Sequence, residues 1–248
     1  MSFNDKVVIV TGGSSGIGAA IAIEFAAAGA KVCFTGRDQK KLDSVAKECK
    51  NSLPLIADVT VENDLKKVVE ETVKHFGKLD ILINNAGIGL PANILSENAM
   101  EVFDTIMNTN LRSTVYLTHL AAPHIIKTKG NIVNISSICG LTVIAQNTFA
   151  YNTSKAAIDH FTRSVAAELA SSGVRVNSVN PGPVMTEALE KTGEKTMEFL
   201  TQMTALKRIS ESKEVADLVL FLASEKAKGI TGSILVTDNG ALVNPNGN

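Results

Sequence analysis

Tyr151 and Lys155 lie four residues apart, a spacing that could place a phenol beside an ammonium group. On an α-helix, side chains four residues apart project from the same face, with about 6 Å of rise between them. A free phenol has a pKa of about 10 and is a poor acid or base at pH 7. Two unit charges about 5 Å apart at an effective dielectric of about 20 attract by roughly 3 kcal/mol, or about two pKa units. The pair therefore predicts a tyrosine of lowered pKa that acts as general acid or base, although the same spacing also occurs between surface residues.

The bulk properties indicate one ordinary α/β domain. The chain has 248 residues and a formal net charge of −1, with a pI of about 6.4. We expect a single domain over residues 1–248. The charge balance does not indicate the excess of basic residues that is typical of a nucleic-acid-binding protein. No apolar run reaches a membrane-spanning length, and the N-terminus has no apolar signal core, so we expect a cytoplasmic protein without a membrane partner.

The cysteines and histidines do not predict a metal site. Cys33, Cys49 and Cys139 are far apart and form no C-x-x-C pair, which indicates separate reduced thiols. The four histidines likewise show no ligand spacing.

A glycine-rich segment follows the first apolar run. Residues 6–10 are short, continuous and β-branched, which is typical of a parallel strand buried on both faces. The segment Thr11-Gly12-Gly13-Ser14-Ser15-Gly16-Ile17-Gly18 comes next, and an alanine-rich helix is predicted over residues 19–28. Glycines let the backbone approach a pyrophosphate, and a helix start supplies free N–H groups. The first βα turn is where a doubly wound sheet binds its nucleotide.

Alternating strands and helices continue along the chain. The sequence predicts further strands at residues 31–35, 53–57, 79–83, 132–135, 174–179 and 233–236. Predicted helices cover residues 39–50, 61–76, 96–126 (broken near Pro123), the Tyr151 helix to residue 170, a looser stretch at 186–206, and 215–223. This order predicts an α/β fold, a doubly wound Rossmann-like parallel sheet of about seven strands with helices on both faces.

Polar and glycine residues recur where the predicted strands end. They include Asn84-Asn85-Ala86-Gly87, Ser136-Ser137 and Pro181-Gly182. With the glycine segment, Asn110 and Tyr151-x-x-x-Lys155, these motifs closely resemble the short-chain dehydrogenase/reductase family over essentially the whole chain. The nearest subgroup in motif content is the 3-oxoacyl-ACP reductase and carbonyl reductase branch. The loop between Ser137 and Tyr151 looks one residue longer than is usual in that family, which leaves the shape of the substrate cleft open.

The resemblance implies an oxidoreductase in which a nicotinamide cofactor exchanges hydride with a carbonyl or alcohol carbon. It implies that Tyr151 is the acid or base, that Ser137 polarises the substrate oxygen, and that Lys155 lowers the pKa of Tyr151 and holds the nicotinamide ribose. Asn110, at a helix distortion, would position a water. The implied cofactor-binding residues are Gly12, Ser14, Ser15, Gly16, Ile17, Gly18, Arg37, Asp58, Val59, Asn85, Ala86, Gly87, Tyr151, Lys155, Pro181, Gly182, Val184 and Thr186.

Several of these residues also have simpler structural interpretations. Ser136 or Ser137 could merely end a strand, and strand alternation points Ser136 away from Ser137. Asp58 could cap a turn instead of contacting adenine. Thr186 could be a helix N-cap as well as a cofactor ligand, and Cys139 is interpreted as a small wall residue.

The choice between NADP and NAD depends on the end of the second strand. An acidic residue there binds the ribose 2′-OH, whereas an arginine accommodates a 2′-phosphate. The chain has Gly36 and then Arg37, so we predict NADP(H), with NAD(H) possible. Asp38 lies two places too late and is interpreted as the N-cap of the next helix.

The predicted substrate is a hydrophobic carbonyl or secondary alcohol, because the proposed cleft walls are mostly apolar. These walls are Ile88, Leu90, Leu141, Phe149, Met185 and Leu189. Alternatives are a 3-oxoacyl-thioester reductase, an NAD-dependent alcohol dehydrogenase, or a non-catalytic nucleotide-binding scaffold of the same fold. The intact set Asn110, Ser137, Tyr151 and Lys155 argues against the scaffold. The resemblance also implies a homo-oligomer, a tetramer as in many family members.

Overall fold

The buried β-branched runs form one parallel sheet in the computed structural model, which describes residues 1–244. The strands are β1 (Val7–Val10), β2 (Lys31–Gly36), β3 (Ser52–Ile56), β4 (Ile81–Asn84), β5 (Asn131–Ile135), β6 (Arg175–Pro181), β7 (Val184–Met185), β8 (Ser210–Glu211) and β9 (Ile234–Thr237). Seven of them pair in the order β3-β2-β1-β4-β5-β6-β9, all parallel, and β7 and β8 form a separate small pair. The predicted doubly wound fold is confirmed. Residues 245–248, the end of the predicted domain, lie outside the described residues.

Nine α-helices connect these strands within residues 1–244. They are α1 (Gly16–Ala27), α2 (Gln39–Glu48), α3 (Glu62–Phe76), α4 (Ala99–Ile106), α5 (Ser113–Thr128), α6 (Phe149–Leu169), α7 (Glu187–Glu190), α8 (Glu194–Met203) and α9 (Ser212–Ala223). None of the helices in this part of the chain is both long and apolar enough to cross a membrane.

The sheet is buried on both faces, as the β-branched composition predicts. In β1, Val8 and Val10 pack into the core that includes α1 and α9, whereas Val7 and Ile9 pack into the core on the side of α3, α5 and α6. All four are fully buried. Burial of each such side chain stabilises the fold by roughly 1.5–3 kcal/mol.

The helical stretch predicted over residues 96–126 differs from the prediction in two places. It begins at Ala99, and a π-helical turn at Met107–Arg112 joins α4 to α5, so Asn110 does lie at a distortion. The break predicted near Pro123 is wrong, because α5 continues through Pro123 to Thr128. Pro123 and His119, whose carbonyl loses its helical partner, are both exposed. Water can therefore satisfy that carbonyl, and the helix continues.

The predicted loose helix at residues 186–206 is two short helices. Thr186 is the N-cap of α7, and its Oγ1 accepts a hydrogen bond from Leu189 N at 3.3 Å. Gly193, with φ of +88°, separates α7 from α8, which ends at Met203.

The strand order reverses between β1 and β4. The chain crosses from β3, on one edge, to β4, on the other side of β1. Ligands of doubly wound sheets bind outside the carboxyl ends of the strands at this point. The glycine segment after β1 and the Asn-Asn-Ala-Gly segment after β4 both lie there.

Candidate active site

The glycine segment requires glycine where the backbone turns tightly. Gly12 has φ of +63°, a left-handed conformation that side chains disfavour. A Cβ built on Gly18 would lie 2.2 Å from Gly12 O, so no side chain fits between the loop and α1. The N-terminus of α1 can therefore approach an anion with its free N–H groups.

Thr11 joins the ends of β1 and β4. Its Oγ1 accepts hydrogen bonds from Asn85 N and Ala86 N, both at 3.0 Å, and Asn85 Nδ2 donates to Thr11 O at 2.9 Å. The sequence interpretation placed Thr11 at the start of the glycine segment but gave it no role, although a threonine at a strand end beside a glycine segment is a usable signal. These bonds hold the two segments in a fixed relation.

A groove of about 680 Å³ runs along these strand ends. The predicted cofactor residues that line it are Gly12, Ser14, Ser15, Gly16, Ile17, Gly18, Arg37, Asp58, Val59, Asn85, Ala86, Gly87 and Thr186. The groove is also lined by Gly36, the strand-end position used to predict the cofactor, and by Ile88, which the sequence assigned to the substrate cleft. The sequence interpretation did not assign the other lining residues, Thr35, Lys41, Ala57, Thr60, Thr105, Thr109, Glu187 and Lys191. The glycines in the wall leave room for a dinucleotide to approach the backbone, and the N-terminus of α1 can bind its phosphates. Thr35 Oγ1, buried in the wall without a hydrogen-bond partner, is a further polar group there.

Five predicted cofactor residues lie outside this lining. Tyr151 and Lys155 are on α6, Pro181 and Gly182 are at the end of β6, and Val184 is buried in β7. Lys155 is nevertheless close to the groove, because a Cβ built on Gly87 would lie 3.5 Å from Lys155 Nζ.

Charged side chains gather at the β2 end of the groove. Arg37 Nη1 lies 3.8 Å from Asp58 Oδ2, and the Arg37 side chain is 76% exposed. Asp58 Oδ1 accepts hydrogen bonds from Thr60 N and Thr60 Oγ1, which with Arg37 hold the pKa of Asp58 below its usual value. Asp58 therefore caps a turn and also faces the groove.

Lys41 and Glu187 form an ion pair that joins α2 to α7 across the groove. Lys191 Nζ also contacts Glu187, at 2.7 Å from Oε1. These two cations lower the pKa of Glu187 to about 2. The groove thus contains three cations (Arg37, Lys41 and Lys191) and two carboxylates.

Asp38 does not line the groove. Its carboxylate caps α2, accepting from Lys40 N at 2.9 Å and from Lys41 N at 3.2 Å. The sequence-based interpretation of Asp38 as an N-cap is confirmed.

Asn110 clamps the segment after β4 to α6. Its Oδ1 accepts from Ile88 N at 2.8 Å, and its Nδ2 donates to Ile88 O at 2.9 Å and to Ser154 Oγ at 3.1 Å. The residue is fully buried. The structure gives the Asn110 side chain these protein partners, and its water-positioning role stays a prediction.

Lys155 is buried and points toward the strand ends. Its Nζ donates to Ile135 O at 2.9 Å and lies 5.6 Å from the centroid of the Tyr151 ring. Burial lowers the pKa of Lys155 to about 8, although the negative charge of Asp159 opposes this.

The pKa of Tyr151 moves in the direction opposite to our prediction. Burial raises it to about 12, and a hydrogen bond with Ser137 lowers it only in part. The sequence argument considered the attraction between two charges and omitted the cost of removing a phenolate from water. The ammonium of Lys155 lies over the ring face, so its contact with the ring is a cation–π contact.

Ser137 starts a short turn at the end of β5. Its Oγ accepts from Cys139 N at 3.1 Å, and its hydroxyl opposes the rise in the pKa of Tyr151. Ser136 points elsewhere, as strand alternation predicts, and donates to Lys155 O at 3.0 Å. Burial raises the pKa of Cys139, so this thiol stays neutral at physiological pH.

A doubly wound sheet with a nucleotide groove and an adjacent serine, tyrosine and lysine defines a dinucleotide-dependent oxidoreductase. A family sequence profile described as Enoyl-(Acyl carrier protein) reductase matches residues 12–241. The chain belongs to the short-chain dehydrogenase/reductase family, whose members bind NAD(P)(H) and act on CH–OH and C=O groups.

Relatives with different substrates share this fold. The chain is 36% identical to a 3-oxoacyl-(acyl-carrier-protein) reductase of Thermotoga maritima, over 98% of this chain and all of the relative. It is 38% identical to an L-fucose dehydrogenase of Mus musculus, over 96% of this chain and 89% of the relative. A crystal structure of a short-chain dehydrogenase/reductase of unknown function from Caenorhabditis elegans, with cofactor, matches with a TM-score of 0.89 at 33% identity, covering 97% and 96% of the two chains.

Proposed function

We propose that this protein is an NADP(H)-dependent oxidoreductase that interconverts a carbonyl with its alcohol on a hydrophobic small molecule. The observation that carries the proposal is the convergence of Ser137, Tyr151 and Lys155 beside the groove. Lys155 Nζ lies 5.6 Å from the centroid of the Tyr151 ring, and the Ser137 hydroxyl opposes the rise in the pKa of Tyr151.

The chemistry assigned to these residues follows from their contacts. The nicotinamide, when bound, supplies the hydride donor or acceptor. Ser137 Oγ accepts from Cys139 N, and its O–H can be donated to a substrate oxygen. Tyr151, with a pKa of about 12, holds its proton at neutral pH and can donate it to the same oxygen. A protonated phenol is the form that carbonyl reduction requires.

The charges in the groove support NADP over NAD. Arg37 is exposed and its 3.8 Å approach to Asp58 is too long for a hydrogen bond, so its guanidinium can bind a 2′-phosphate bidentately. Lys41, in the first turn of α2 and paired with Glu187, is a second cation on the same wall. A carboxylate at position 36 is sterically excluded, because a Cβ on Gly36 would lie 2.5 Å from Ser14 Oγ.

We expect Arg37→Ala to lower kcat/KM with NADPH by about ten- to a hundredfold and to leave kcat/KM with NADH little changed. A charge-assisted contact of this kind contributes roughly 1.5–3 kcal/mol. The measurement is kcat/KM with each cofactor. Lys40→Ala removes a neighbouring exposed cation outside the groove and serves as the matched control. A wild type that prefers NADH would refute the NADP assignment.

The reversal of this preference needs three substitutions. Gly36→Asp with Arg37→Ile supplies a ribose acceptor and removes the partner of the phosphate, but the new side chain would collide with Ser14 Oγ and Cβ. We therefore expect the reversal only with Ser14→Gly added. Measuring kcat/KM with NADPH and NADH for the double and the triple variant shows whether Ser14→Gly is needed for the reversal. A double variant that folds and prefers NADH would contradict the steric argument.

Apolar surface near Tyr151 supports a hydrophobic substrate. A Cβ on Gly89 would lie 3.7 Å from Tyr151 Cδ2, so the segment that contains Leu90 borders the ring. Leu90 and Leu141 are exposed. Phe149 is less available as a wall, since it stacks on Phe103 with ring centroids 6.3 Å apart.

A carbonyl panel tests the proposed substrate class. NADPH consumption is measured with apolar ketones and aldehydes, 3-oxoacyl thioesters and free sugars. Turnover of apolar ketones over thioesters supports the proposal. Preference for thioesters would instead favour the second candidate, a 3-oxoacyl-thioester reductase. The similarity to the Thermotoga maritima reductase supports this candidate. Binding of the cofactor without turnover of any substrate would favour a nucleotide-binding scaffold.

The assembly and location of the protein are further proposals. We propose one domain, a cytoplasmic protein, and a homotetramer that pairs through the surfaces of α4, α5 and α6. Light scattering of the purified protein tests the tetramer.

A further inference from the structure

Asp159 is a buried carboxylate to which the proposed chemistry assigns no role. It lies on α6 one turn after Lys155 and is 3% exposed. A carboxylate is rarely buried unless it is paired or hydrogen-bonded. Its partners therefore indicate why it is there.

Asn180 connects Asp159 to the backbone of Ser137. Asn180 Nδ2 donates to Asp159 Oδ2 at 2.8 Å and to Ser137 O at 2.9 Å. Ser178 Oγ lies 3.1 Å from Asp159 Oδ1 and 2.7 Å from Asn180 Oδ1. Asn180 and Ser178 are both fully buried in β6. The carboxylate thus fixes an amide, and the amide fixes the residue that starts the turn after β5.

The turn itself packs directly on this carboxylate. A Cβ built on Gly140 would lie 2.9 Å from Asp159 Oδ2 and 2.8 Å from Lys155 C. The turn Ile138–Gly140 therefore approaches α6 closely between Lys155 and Asp159. Asp159 is therefore linked to the loop that carries Ser137 in two ways. Gly140 packs against its carboxylate, and Asn180 joins the carboxylate to Ser137 O.

Asp159 also acts on the charge of Lys155. Its negative charge raises the pKa of Lys155 against the lowering effect of burial. The pKa of Asp159 itself is raised by burial, while hydrogen bonds from Asn180, Ser136 and Ser178 and the charge of Arg163 oppose that change. Arg163, the thiol of Cys139 and the phenol of Tyr151 are the other ionisable groups around the pair of Asp159 and Lys155.

We propose that Asp159 is a positioning residue, which fixes Ser137 through Asn180 and keeps the buried ammonium of Lys155 charged. This inference rests on the proposed roles of Ser137 and Lys155. It predicts two separable effects, one of geometry and one of charge.

Asp159→Asn tests the effect of charge. The side-chain oxygen of asparagine can still accept from Asn180 Nδ2, so this change removes the charge and keeps the shape. Lys155, with a pKa of about 8, should then lose its proton at lower pH. We expect the alkaline limb of the kcat/KM profile to move down by about one pH unit. Activity should be close to wild type at pH 6 and clearly reduced at pH 8.

Asn180→Ala tests the effect of geometry. It removes the amide that holds Ser137 O, so we expect kcat to fall by about ten- to a hundredfold with cofactor affinity unchanged. Glu168→Gln is the matched control for the first variant, because it makes the same change of carboxylate to amide at an exposed position of α6, and its pH profile should match that of the wild type.

Superimposable pH profiles of Asp159→Asn and wild type would overturn the charge role, and unchanged kcat in Asn180→Ala would overturn the positioning role. If Asp159→Asn does not fold, carboxyl ¹³C NMR of the wild type decides, since a protonated Asp159 at pH 7 contradicts the proposal. Failure of the site assignment itself gives a different result, because Ser137→Ala and Tyr151→Phe would then retain turnover.

Discussion

The Tyr151→Phe variant is expected to lose about a hundredfold to ten-thousandfold in kcat and to keep the cofactor affinity of the wild type. General acid–base help contributes about this much to a rate. The phenol ring packs against a small buried cluster of Ala92, Val102, Ile106 and Ala150, so phenylalanine preserves the contacts of the ring and removes only the hydroxyl. The measurements are kcat with a competent carbonyl substrate and cofactor Kd by fluorescence titration.

The chain offers a matched control for this experiment, because it contains only two tyrosines. Tyr116 lies on α5, away from the groove, near His119 and Arg112. Tyr116→Phe should therefore leave kcat unchanged. If Tyr151→Phe turned over substrate at nearly the wild-type rate, Tyr151 could not be the proton donor.

The Lys155→Met variant is expected to lose both turnover and cofactor affinity. A buried ammonium beside Gly87 can donate to a bound ribose, and a charged hydrogen bond of this kind is worth about ten- to a hundredfold in Kd. Wild-type affinity should also weaken as pH rises through about 8, because the ammonium then loses its proton. Titrations of cofactor fluorescence between pH 6 and 10 measure both effects.

Two further variants make this result specific. Ser137→Ala should lower turnover and spare cofactor affinity, since Ser137 lies outside the groove lining. Lys67→Met replaces an exposed lysine on α3 and should match the wild type in both turnover and cofactor affinity. Equal cofactor affinity in Lys155→Met and the wild type would rule out the ribose contact.

The fold could be predicted because its determinants are local. The central strands β1, β2 and β4 are short, buried and largely apolar runs, and the turn after β1 requires glycine at positions that the sequence displays directly. The motif residues at strand ends also follow from order along the chain, since parallel strands end at one edge of the sheet. The strands, the glycine turn and the strand-end motifs can therefore be predicted without knowing which distant residues are in contact.

The errors and omissions concern properties that depend on distant partners. The pKa of Tyr151 depends on burial, and the sequence shows only its neighbour Lys155. The pair of Lys41 and Glu187 joins residues that are 146 positions apart. The link from Asp159 through Asn180 to Ser137 likewise spans α6, β6 and the end of β5. The continuation of α5 through Pro123 depends on which side of the helix faces solvent.

The buried position of Lys155 has a consequence for the stability of the fold. Its pKa is about 8 in the folded protein, against 10.5 for the free side chain, so the unfolded chain binds more protons between these values. Stability therefore increases with pH across that window, and at pH 7 the charged lysine costs about 3 kcal/mol. That cost is a large fraction of the 5–15 kcal/mol typical of a folded domain. The Lys155→Met change removes this titration and also leaves Ile135 O without its donor, so we expect the unfolding temperature of the variant to rise less than that of the wild type between pH 8 and pH 10.5.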